Sequence, residues 1–171
     1  MRKRVLLLLS ALPCAAALAQ GGLFDWGWQA RFDEPAAWRS NPSWLSGPST
    51  NASLKMEGAV ACFTVPEANR GMKWALQIAP AAYVPHSPWL VVKYCADSNY
   101  NWNASDYFIY LDDGKPGERA ALKRKDVKAD GKWHEVAVRI DTLLQSKILR
   151  GIAVQVRSDK AGGSCVKFAH I

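Results

Sequence analysis

The sequence predicts an all-β fold, a sandwich or a barrel, and three observations carry that prediction. Beyond the first nineteen positions, apolar residues recur at every second place, the mark of strands with one buried face. No segment there holds a long 3.6-residue apolar period. Turn-formers punctuate the alternating runs: Asn41-Pro42, Gly47-Pro48, Asp112-Asp113-Gly114, Asp130-Gly131 and Gly162-Gly163. The runs number roughly nine, and short strands at even spacing suit sheets packed face to face.

Taken in order, Phe24, Trp26, Trp28 and Phe32 share one parity at the start. Alternating runs follow at 59–65, 73–79, 89–96, 107–111, 120–122, 133–140, 148–156 and 164–171. Only 34–38 and 142–146 look able to make a helical turn. Alternation also assigns faces. Val136, Val138 and Ile140 share one side of their run, as do Ile152, Val154 and Val156, and Val166 and Phe168. These eight residues are expected in the shared core. Arg150 falls on the apolar side of its run, near the strand start, where it can still reach water.

Residues 1–19 read as a cleaved secretory signal. Arg2, Lys3 and Arg4 precede an apolar run, and Ala17-Leu18-Ala19 supplies the small-residue exit. The apolar run is too short to span a bilayer, so no membrane span is expected, and the chain is placed outside the cytoplasm, secreted or periplasmic. Removing nineteen residues leaves 171 − 19 = 152, a normal size for a single domain over 20–171. The signal carries three basic residues and no acidic one, so the formal charge falls from +7 to +4. The basic run Lys123-Arg124-Lys125 is flanked by acidic residues and reads as a solvated strand face or loop, so no nucleic acid is expected as partner.

The order of motifs resembles a known family. Phe32-Asp33 and Trp38 come early, then Trp89-Leu90-Val91-Val92-Lys93-Tyr94 and a strand ending in Leu111-Asp112-Asp113-Gly114. Asp130-Gly131-Lys132-Trp133-His134-Glu135-Val136 follows, and a strand from Gly163 to Ile171 closes the chain. This pattern is similar to the galactose-binding-like jelly rolls found in carbohydrate-binding modules and beside the catalytic domains of glycan-degrading enzymes. The resemblance implies a two-sheet antiparallel β-sandwich, with a polysaccharide or glycan as ligand and a catalytic domain or partner protein as neighbour. It also places the first and last strands side by side, from which a Cys62–Cys165 disulfide is expected, with Cys95 left as a thiol. No cofactor is expected. The one metal the resemblance would bring is a structural calcium, and here the closing strand reads Phe168-Ala169-His170 in place of an acidic residue.

Enzymatic patterns are missing from the sequence. There is no GxSxG elbow, no HExxH, and no ExDxE that would converge carboxylates on a sugar. His86, His134 and His170 lie far apart, and Asp112-Asp113 reads as a hairpin cap. Binding asks for less: aromatic rings against sugar C–H faces, plus planar polar groups for the hydroxyls. Asp97, Asn99, Tyr100, Asn101 and Trp102 supply both within one inter-strand segment, and Trp44 lies in a second. A polar hairpin with Trp102 capping the core explains the same residues without a ligand. Three functions therefore stand open: a non-catalytic glycan-binding module, a dispersed-site hydrolase or lyase, and a structural or adhesion domain.

Overall fold

A computed structural model describes residues 30, 32–40, 47–86, 88–98, 107–117, 119–158 and 163–171. Ten strands occur among them: β1 (Arg39–Ser40), β2 (Ser53–Glu57), β3 (Val60–Val65), β4 (Arg70–Tyr83) and β5 (Trp89–Ala96), then β6 (Tyr107–Asp112), β7 (Arg119–Lys123), β8 (Trp133–Arg139), β9 (Ile148–Ser158) and β10 (Ser164–His170). They form two five-stranded sheets: sheet A, in the order β1-β4-β9-β6-β7, and sheet B, β2-β3-β10-β5-β8. Every strand pair is antiparallel. The chain changes sheet at each step from β3 to β6 and again from β7 to β10, which is how a jelly roll closes its two layers over one core.

That core is mostly the inward parity of the strands. Phe63 on β3 packs edge-on against Trp38, Trp74 and Phe168, at ring-centroid distances of 5.5, 5.1 and 5.4 Å. Phe168 stacks on Phe108 at 5.5 Å, and Phe108 meets Tyr94 at 5.6 Å. Offset and edge-on pairs of this kind add about 0.5–1.5 kcal/mol each beyond the area they bury. Ile140, Ile152, Val154, Val156, Val166 and Phe168 are buried as expected, whereas Val136 and Val138 are only half-buried. The cause is position: β8 is the edge strand of sheet B and is covered from one side only.

Two strands escaped the sequence reading. β1 is two residues long, and β2 offers only Leu54 and Met56 as apolar alternation. The 3₁₀ turn Pro35–Ala37 lies inside the expected 34–38 segment, but 142–146 forms plain turns rather than helix. Phe32 is buried without belonging to a strand, and Phe24, Trp26 and Trp28 lie outside the described residues.

The Asp112-Asp113-Gly114 turn does more than cap a hairpin. The buried Asp113 carboxylate accepts the N–H groups of Lys115, Gln145 and Ser146 at 3.1, 2.7 and 3.4 Å, tying the β8–β9 connection to the end of β6. Burial pushes its pKa up, but those N–H donors and Arg119 outweigh burial and hold it below the ordinary 3.8. A depressed carboxylate stabilises the fold above its unfolded pKa, and that contribution is lost as pH falls through the folded value. Asp113→Asn should therefore lower stability at pH 7 by about 1–3 kcal/mol, since charged acceptance is lost from buried donors. In urea unfolding, the gap between variant and wild type should shrink once the pH drops below the 3.8 reference.

Candidate functional site

The outward parity of sheet A carries an unusual set of side chains. Along β4 it presents Lys73, Ala75 and Gln77, which lie opposite Gln155, Ala153 and Gly151 of β9. On β6, Tyr110 faces Ala153 and Asp112 faces Gly151, while Arg39 of β1 faces Ala75. Alanine and glycine thus form the floor, and longer polar groups form the walls. The result is a groove of about 1260 Å³ across the sheet, whose lining includes Arg39, Lys73, Gln77, Tyr110, Asp112 and Arg150. A Cβ on Gly151 would sit 3.2 Å from the Leu76 carbonyl oxygen and 3.4 Å from the Asp112 Cβ, so a side chain there would crowd the strand crossing under the groove.

Lys73 in the groove lining and Gln155, opposite it on β9, are buried although they point away from the core. Burying a charge and an amide costs free energy unless each is compensated. Tyr110 serves both. The Lys73 ammonium lies 3.4 Å from its ring centroid, and its hydroxyl donates to Gln155 Oε1 at 2.5 Å. A desolvated cation–π contact of this kind is worth up to about 2 kcal/mol. Tyr107 packs on the Tyr110 ring at 4.9 Å. Lys73, Tyr110 and Gln155 are therefore held in one arrangement by the fold itself. Asp112 is the only carboxylate among the described lining residues, and its Oδ1 accepts the Gly114 N–H at 2.8 Å.

Of the residues named from sequence, Asn99, Tyr100, Asn101, Trp102 and Trp44 lie outside the described residues. Asp97 is described, and its carboxylate binds the chain itself. It accepts the Ser164 hydroxyl at 3.1 Å and the Cys165 N–H at 2.7 Å, fastening the end of β5 to the start of β10. Sequence reading missed Lys73, Tyr110 and Gln155. Their signal was present as Lys73 alternating with Trp74, and as Gln155 and Arg157 at the outward parity of an otherwise apolar strand. Arg150 does reach water, at the groove.

The outward face of sheet B is different. β3 and β10 are neighbours, but their register sets Cys62 opposite Lys167 and Cys165 opposite Thr64. The two cysteines are diagonal, and diagonal positions lie roughly 7–8 Å apart, too far for a strain-free bridge. The expected Cys62–Cys165 disulfide is not formed, and Cys62, Cys95 and Cys165 are all free thiols. Cys62 and Cys95 flank Lys167, whose ammonium pairs with Glu57 at 2.8 Å. Among the described residues, no group of three or more His, Cys, Asp or Glu side chains is arranged to hold a metal ion. No helix among them is long and apolar enough to cross a membrane.

No protein-family model matches the chain, and no curated protein does. Among solved structures, the chain is similar to a mutant of Xylanase10C from Cellvibrio japonicus in complex with xylopentaose, at 11% identity and a TM-score of 0.43. The match covers 83% of this chain and 27% of that one, so this chain spans about a quarter of that protein's length.

The thiols give a direct check on the sheet B geometry. Burial, with the neighbouring Glu57 carboxylate, pushes Cys62 up to about 12 from the ordinary 9.0, and burial is also the main cause of the upward shifts at Cys95 and Cys165. The thiolate is the nucleophile, and so high a pKa cuts its population about a thousandfold near neutral pH. Iodoacetamide at pH 8 should leave the Cys62 peptide unmodified in the folded protein and label it fully in urea, as read by mass spectrometry.

Proposed function

We propose that the protein is an exported, non-catalytic carbohydrate-binding module that takes a glycan chain along the groove of sheet A. One observation carries this reading: an outward sheet face with a glycine and alanine floor and fixed, partly buried polar walls. A sheet face that only meets solvent has no need to bury Lys73 and Gln155. Sugar hydroxyls are recognised by planar and charged groups of just this kind, and Gln77, Arg39, Arg150 and Asp112 are exposed around them.

Residues 99–106 lead directly into β6, which carries Tyr110, and residues 41–46 follow β1. In this reading Tyr100, Trp102 and Trp44 supply the ring stacking, with Asn99 and Asn101 adding amides. Glycoside hydrolysis normally takes two carboxylates flanking the scissile bond, about 5–9.5 Å apart. The groove's single described carboxylate favours retention over cleavage. A second reading, a docking or adhesion domain, draws on sheet B, where Trp89 and Trp133 are 56% and 44% exposed.

Affinity electrophoresis through gels containing single polysaccharides separates these readings. Gln77→Ala, Tyr110→Phe and Trp102→Ala should each weaken retention about tenfold, or about 1.4 kcal/mol, with Trp89→Ala unchanged. Melting temperatures of Gln77→Ala and Trp102→Ala should stay within a few degrees of wild type. Loss of retention only with Trp89→Ala would transfer the function to sheet B, and a fall in melting temperature without loss of retention would make Trp102 a core cap.

A further inference from the structure

We infer that the glycan is an acid-bearing polysaccharide, with carboxylate or sulfate groups along its chain; this rests on the reading that the sheet A groove holds a glycan. Among the described lining residues, the charged side chains are Arg39, Lys73 and Arg150 against Asp112, three cations to one anion. Arg157 extends the positive row beyond Lys73 on the same outward parity of β9. The imbalance is concentrated in the groove, since the chain beyond residue 19 carries only +4 in 152 residues, by the subtractions 7 − 3 and 171 − 19.

Geometry separates these cations by task. Lys73 is buried and faces the Tyr110 ring, so its charge acts as a fixed background field. Arg39 and Arg150 are exposed and make no hydrogen bond or ion pair among the described residues. Arg150 lies across Gly114, where a Cβ would meet its Cδ at 2.8 Å, so a glycine at the turn leaves room for the side chain. From Arg39 on β1 to Arg150 on β9 is roughly 10 Å across two strand spacings and about 10 Å along the strand. A guanidinium fork binds carboxylate and sulfate in two-point fashion, and two forks at that separation suit anions borne on separate residues of one chain.

A nucleic acid fits this groove less well. Its phosphates call for dense neutralisation and its bases for open aromatic platforms. Here Asp112 interrupts the positive row, and Lys73 and Tyr107 already pack on the Tyr110 ring.

The test uses the full chain and matched polymer pairs: a polyuronate with its methyl ester, and a sulfated glycan with its desulfated form. Calorimetry is run in low salt and again near 0.5 M salt, where charges separated by more than about 4–5 Å are largely screened. In at least one pair, the acidic member should bind about tenfold tighter in low salt, with most of that preference gone in high salt. The double variant R39Q/R150Q should erase the preference, lowering affinity for the acidic member about tenfold more than for the neutral one. Equal binding within both pairs, or a preference that survives both substitutions, overturns the charge assignment and leaves the glycan reading standing. Failure to bind these four polymers and every neutral polysaccharide tried overturns the glycan reading and this inference with it. Displacement of the bound acidic polymer by a single-stranded oligonucleotide at lower concentration than by the polymer itself overturns the inference in favour of nucleic acid.

Discussion

Two sheets stay face to face in this protein because aromatic rings from both layers interlock between them. Phe63 and Phe168 sit on adjacent strands of sheet B, Trp74 and Phe108 come from sheet A, and Trp38 and Phe32 close one end. Each ring fixes the next by edge or by offset face, so the layer is a set of interdependent placements. Truncating a buried phenylalanine in such a layer costs about 3–5 kcal/mol, a large part of the stability of a domain this size. Strand parity is then fixed on both sheets, because a slip by one residue would turn Trp74 out and Lys73 in.

Fixed parity is what makes the outer face of sheet A a candidate site. The floor residues Ala75, Ala153 and Gly151 lie in the rows between Arg39, Tyr110, Gln77 and Asp112 only in this register. The long β4–β9 pairing changes register between Gln77 and Ala82, around Pro80, which has no N–H to give to a ladder. Ala79, Pro80 and Ala81 line that end of the groove. Asp113, beneath the other wall, holds the β8–β9 connection through backbone N–H groups, so the turn beside Asp112 and Arg150 is anchored from below.

Much of the fold was legible because period-two alternation is a direct consequence of a sheet with one covered face. Ile152, Val154 and Val156 declared their face and are buried; so did Val166 and Phe168. The two strands that escaped are short edge strands with little apolar alternation, and Val136 and Val138 are half-exposed because edge position is a property of topology, which alternation does not encode. The candidate site was less legible for a related reason. Lys73, Tyr110 and Gln155 stand far apart in sequence and look like ordinary outward residues of their strands; only the pairing of β4, β9 and β6 unites them. Register also separates Cys62 from Cys165. Adjacency of their strands was foreseeable from the resemblance, but a two-residue offset decides between a bridge and two thiols.

The two outer faces consequently suit different kinds of contact. Sheet B turns outward Trp89, Val91 and Trp133, exposed and apolar, alongside Lys167, which pairs with Glu57. Sheet A turns outward a concave, cationic surface whose central groups are locked by the Lys73–Tyr110–Gln155 contacts. Binding costs free energy wherever flexible side chains must be ordered, about 0.5–1.5 kcal/mol for each long one. With Lys73 and Gln155 already ordered by the fold, that cost falls mainly on Arg39 and Arg150, the exposed pair. In the proposed binding mode, long-range attraction comes from a field built into the sheet, and selectivity comes from the two exposed forks at its rim. Such a division favours a flexible, repeating polymer, which can slide until its charged groups meet the forks, over a small rigid ligand that would have to satisfy every wall at once.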